Sequence, residues 1–214
     1  MLGCGLSDYE QRMLAAQTYI ENKDHEERVL GAPLAPPPKL SPEGKKIGQP
    51  VVDLYIRPPR GLNSQYEPDP FSDIMWRYAA PQGGSAAANC PFIAMYLAVS
   101  TTMDRDQFWQ EVQKPFMPED LSGISKVTKT PIDGPPLEFE YDSRTVEERG
   151  SSKSFFMYVY RKDLPDGKVA RVAIIFCTPE NMGTGPAATE GIDMCLKTLT
   201  VGGRQVGGIE RRRS

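Results

Sequence analysis

The residues able to do chemistry are few and scattered. The chain has four cysteines, Cys4, Cys90, Cys177 and Cys195, and a single histidine, His25. A nucleophilic cysteine needs a base or a positive neighbour to hold it as thiolate. His25 lies among charges in the N-terminal segment, ahead of a proline-rich stretch, and reads as a solvated surface residue. With no C-x-x-C pair and one histidine, the soft-ligand set of a structural zinc site is missing. Cys177 ends an apolar run and Cys195 falls on an apolar helical stripe, so both read as buried thiols. A Cys177–Cys195 disulfide is the alternative. No catalytic residue, metal or cofactor is assigned.

Two other groups invite a functional reading. In "LEFEYDSRTV", Glu138, Glu140 and Asp142 alternate with Leu137, Phe139 and Tyr141, which sets three carboxylates about 6.6 Å apart along one strand face. Such a row could hold a divalent cation. Its simpler reading is the wet face of a half-buried strand, paired with cations such as Lys153, Arg161 or Arg171, since hard-cation sites need converging ligands rather than a linear array. In "IMWRYAA", Trp76 and Tyr78 stand beside a glycine-rich loop and form a candidate partner surface, with the alternative that the tryptophan anchors the loop to the core. The neighbouring "PQGG" lacks the Lys-Ser/Thr of a phosphate loop.

The elements that must position these groups follow from periodicity. Ser7-Asp8-Tyr9-Glu10 has the form of a capping box, opening a helix that runs to Leu30 and stops at Gly31. Its apolar positions, Tyr9, Met13, Ala16 and Ile20, end halfway, and "ENKDHEER" is polar on every side, so at most half of it docks. Residues 32–50 carry too many prolines for a helix interior and read as an extended spacer. Strands are expected near 51–57, 92–100, 137–146, 154–161 and 168–177, with one or two helical turns in "FSDIMWRYA" and a loop between 117 and 136. Asp104 caps a short helix over "DRDQFWQEVQKPF", "DLPDG" turns a hairpin with Gly167 at positive φ, and Pro186 opens a closing helix that buries Ile192, Cys195, Leu196 and Leu199. Adjacent strands in this order imply an α+β fold, an antiparallel sheet with packed helices.

The first strand with its proline turn ("VDLYIRPPRGL"), the late hairpin "SFFMYVYRKDLPDGKVARVAIIF" and the closing "IDMCLKTLTV" resemble the PsbP-like fold over about residues 50–201. That resemblance implies an α/β/α sandwich and binding or assembly work rather than catalysis. "MLGC" resembles the end of a bacterial lipobox, which implies acylation at Cys4; the position usually held by leucine is Met1 here.

The resulting expectation is an anchor and polar helix at 1–31, a linker at 32–50, the sandwich at 51–201 and a flexible basic tail at 202–214. A net charge of −3 argues against nucleic acid as a partner, since phosphate neutralisation needs a clustered basic face. The expected function is a lipoprotein tethered through Cys4 to a membrane of the bacterial envelope, facing the periplasm, with a non-enzymatic domain that binds a protein partner. The alternatives are a cytosolic interaction module of the same fold, or a metal-dependent enzyme using the 138–142 row. No small-molecule substrate is identified.

Overall fold

A computed structural model describes residues 4–34, 52–63, 67–68, 74–80, 90–116, 123–148, 151–180 and 185–202. Their organising element is one antiparallel sheet made of two meanders. The first comprises β2 (Glu67–Pro68), β3 (Met75–Ala79) and β4 (Ala94–Ser100); the second comprises β5 (Ser125–Lys129), β6 (Leu137–Glu148), β7 (Ser151–Asp163) and β8 (Val169–Pro179). They join edge to edge through β4 and β8, giving the order β2-β3-β4-β8-β7-β6-β5. The sheet centre is β8, whose apolar run "VARVAIIFCT" is buried on both faces because both faces are covered.

Period-two alternation sends neighbouring residues of each strand into two different cores. One face contributes Trp76, Leu97, Phe139, Ile174 and Phe176, which pack under helix α3 (Pro186–Lys197). The other contributes Met75, Ala98, Met157, Ile175 and Cys177, under helix α2 (Arg105–Gln113) with Phe108, Trp109 and Val112. The fold is therefore α+β with helices on both faces of an antiparallel sheet. Helix α2 starts on a full capping box at Asp104, whose side chain accepts from the Gln107 amide while Gln107 returns to the Asp104 amide. The β7–β8 hairpin turns where expected, with Gly167 at φ 78° and the Leu164 amide donating to the Lys168 carbonyl. Gly191 lets α3 lie against Phe92 and Pro59, since a Cβ there would meet them at 3.1 and 3.3 Å.

Several expectations fail for physical reasons. "MWRYA" is strand β3 rather than helical turns: it sits inside the sheet, so consecutive residues Met75 and Trp76 are both buried and no alternation shows. Strand β5 lies within the expected loop; as an edge strand it tolerates the polar sequence "SKVTK". The first strand is only β1 (Leu54–Tyr55) and pairs with β9 (Thr200–Val201) in a separate two-stranded sheet. Helix α1 spans Cys4–Val29, so Ser7 and Glu10 are interior to it and not its cap.

The end of α1 packs on the body. Leu30 and Leu34 are core residues, and residues 29–34 bond along 56–60: the Gly31 amide to the Pro58 carbonyl, the Leu34 amide to the Ile56 carbonyl, the Arg60 amide to the Val29 carbonyl. The helix end thus packs on the body; most of the expected spacer, residues 35–50, and the expected tail, 203–214, lie outside the described residues.

Candidate functional site

Helix α1 docks by its polar end. Every residue from 7 to 22 is exposed, while Glu26 and Leu30 are buried. The clamp is Arg57, 7% exposed, whose guanidinium donates to Glu26 at 3.2 Å, to both oxygens of Glu27 at 2.6 and 3.0 Å, and to the Gly31 carbonyl at 3.0 Å. The hydrogen bond from Arg57 holds the Glu27 carboxyl below its ordinary range. His25, expected to be merely solvated, places Nε2 2.8 Å from the Glu190 carboxylate and so ties α1 to α3. The polar octapeptide docks because its partners are charges presented by the body rather than apolar surface.

Where α1 meets the body, a cleft of about 710 Å³ opens between the helix base, the 131–135 loop, the outer end of β7 and the last turn of α3. That volume is in the range of ligand sites. The Tyr19 hydroxyl donates to Asp133 at 3.3 Å and the Lys23 ammonium lies 3.6 Å from the same carboxylate, so helix and loop close one side. Lys197 is held by Asp193 at 2.6 Å, and Lys129 by the same carboxylate at 2.7 Å. Burial alone would raise the Asp193 carboxyl; the two lysine hydrogen bonds outweigh it and leave the group below its usual range.

Two groups in the cleft keep open hydrogen-bonding capacity. Tyr160 and Lys162 line it from the same face of β7, two residues apart and hence about 6.6 Å along the strand. Among the described residues neither the Tyr160 hydroxyl nor the Lys162 ammonium has a hydrogen-bond or ion-pair partner. Burial pushes the Tyr160 hydroxyl pKa up, so it remains a donor at neutral pH. Leu137, Met194 and Leu199 add apolar surface beside them. The arrangement suits a group rich in acceptors or carrying negative charge, flanked by something apolar. Nothing local in the sequence marks it: its residues come from five separate segments of the chain.

The sites expected from sequence are placed differently. Trp76 and Tyr78 are 2% and 0% exposed inside β3, so they form core and not a partner surface. Two members of the carboxylate row face α2, and the third faces water. Glu140 accepts from Arg105 at 2.7 Å and from the Trp109 indole; Asp142, 6% exposed, accepts from Gln113 at 3.1 Å and Arg144 at 2.9 Å; Glu138 stays exposed, 3.9 Å from Lys126. The row is thus three separate contacts, and among the described residues no cluster of three metal-ligating side chains forms. The cations proposed for it lie elsewhere: Arg161 pairs with Asp163, and Arg171 donates to the Met103 carbonyl. Cys177 and Cys195 are thiols outside any disulfide, in the two different cores on opposite faces of the sheet, which excludes a bond between them. Cys4 is the first residue of α1, at its far end from the body.

Neither a protein-family model nor a curated protein matches the chain. Among solved structures, a protein of Bacteroides thetaiotaomicron VPI-5482 aligns with a TM-score of 0.44 and 12% identity, over 72% of this chain and 46% of that one. The chain therefore spans about half the length of that protein.

Proposed function

We propose that this chain is a membrane-tethered, non-enzymatic binding module of a bacterial envelope, acylated at Cys4, whose PsbP-like domain engages a protein partner at the cleft beside α1. The observation that carries the reading is the placement of α1. Its last turns are fixed to the body, and the rest stands free with Cys4 at the tip, roughly 28 Å beyond Lys23 at 1.5 Å per residue. An acyl group there would hold the body off a bilayer on a rigid arm. Each buried methylene contributes about 0.8 kcal/mol, so two or more chains suffice without an apolar helix. Among the described residues no helix is long and apolar enough to cross a membrane. The partner segment that suits the cleft presents a carboxylate next to an apolar side chain, for Lys162 and Tyr160 to receive.

The test is expression of the gene with its natural upstream codons. Recovery in the membrane fraction, an acyl mass on Cys4 and release by Cys4→Ser are the expected results. A wild-type product that stays soluble and unmodified overturns the tether and leaves a cytosolic interaction module.

A further inference from the structure

The large hydrophobic side chains exposed on the described surface are Tyr9, Met13, Leu14, Tyr19 and Ile20, all on α1. Three of them, with Ala16, recur at 9, 13, 16 and 20. Intervals of four, three and four are the seam spacing of a two-stranded coiled coil, and Leu6 continues it in the sequence. The body covers none of this row: residues 7 to 22 are exposed throughout. The next seam position, Lys23, turns to its own body, bonding Glu26 at 3.0 Å and lying 3.6 Å from Asp133.

We infer that the free part of α1 is a self-association surface, which pairs in parallel with α1 of a second copy along Tyr9, Met13, Ala16 and Ile20. The occupant is a helix because the row is one side chain wide and spaced for knobs-into-holes packing. It is a second copy because the seam opposes itself without conflict. In parallel register the flanking positions set Arg12 beside Gln17 and Tyr19 beside Asp24 of the other copy, with no like charges opposed. Ile20 occupies the position where a β-branched residue favours two strands. The seam ends at Lys23, where the bodies begin.

The area sets the strength. Tyr9, Met13 and Ile20 are 64, 56 and 58% exposed. At roughly 100 Å² for each such side chain, with the flanking Tyr19 added, two copies bury on the order of 800 Å². That is short of the ~1,200 Å² of a stable complex, so the dimer is weak in solution. The pairing does not depend on acylation of Cys4.

Sedimentation equilibrium on the full chain carrying Cys4→Ser, from about 10 µM to about 1 mM, reads the result apart from any tether. The mass should climb toward the dimer. Ile20→Glu should weaken association by about tenfold or more while the urea midpoint of the body stays put, because residue 20 touches no core. Under oxidation Met13→Cys should form an intermolecular disulfide that the parent Cys4→Ser protein does not. A chain that stays monomeric throughout with no such cross-link overturns the inference. So does a monomer whose α1 binds phosphatidylcholine vesicles in an Ile20-dependent manner, which would name the bilayer as the occupant.

Discussion

Substituting Arg57 by alanine separates docking of α1 from folding of the sheet. The Arg57 and Glu26 side chains are each 9% exposed, so removing the guanidinium strands a buried carboxylate. Breaking such a pair costs about 3–5 kcal/mol. Glu26 keeps Lys23 at 3.0 Å, which places the expected loss near the lower bound, about 3 kcal/mol. Glu27 is mostly in water and adds little. The chain can avoid the penalty by releasing the helix, so the loss should appear first as local opening. Hydrogen exchange of the α1 amides near residues 26–30 should accelerate by about two orders of magnitude, while β8 amides change far less. The double variant Arg57→Met with Glu26→Leu should recover most of the loss, because apolar side chains of similar volume replace a buried ion pair at little cost. Unchanged exchange in Arg57→Ala, or a double variant no better than the single, would refute the reasoning that charge burial holds the helix.

Gly191→Ala should destabilise by about 1 kcal/mol in urea unfolding, since overpacking against Phe92, itself held against the Phe176 ring at 5.8 Å, outweighs the gain in helix propensity; a stabilised variant would contradict the close approach. The Asp193 carboxyl is depressed in the fold, so its contribution is present above the ordinary carboxylate pKa of about 4 and is lost as pH falls through the lower folded value. The stability gap between wild type and Asp193→Asn should therefore begin to narrow only as pH falls below about 5 and go on narrowing below about pH 4; a gap independent of pH counts against the lysine pairing. Burial raises the thiol pKa values of Cys90 and Cys195. In a Cys4→Ser background half-buried Cys90 should take a thiol reagent slowly, with Cys177 and Cys195 labelled only on unfolding. Native-state labelling of either at the rate of Cys90 would show the two cores to be open.

What the sequence determined by itself was whatever is local. A glycine between two β-rich runs fixed the β7–β8 hairpin, an aspartate three residues before a glutamine fixed the start of α2, and a 3.6-residue stripe fixed the buried face of α3. Each signal lies within one element, where backbone sterics and hydrogen bonds act over a few residues. The antiparallel α+β class followed from their order. Tertiary structure decided which faces are wet. The row Glu138, Glu140 and Asp142 alternates like an exposed strand face, yet α2 covers two of its members: Glu140 and Asp142 receive Arg105, Trp109 and Gln113 from 29 to 35 positions away, and Glu138 alone stays exposed. Strand β5 has a polar sequence because only one of its edges is paired, and β1 finds β9 almost 150 residues away in the chain. Helix α1 gives the sharpest case. Periodicity marks Tyr9, Met13, Ala16 and Ile20 as the side to bury, whereas the body takes the charged end through Arg57 and Glu190. Apolar pattern reports what a segment can bury, and where complementary charges lie across the fold is settled only when the chain closes.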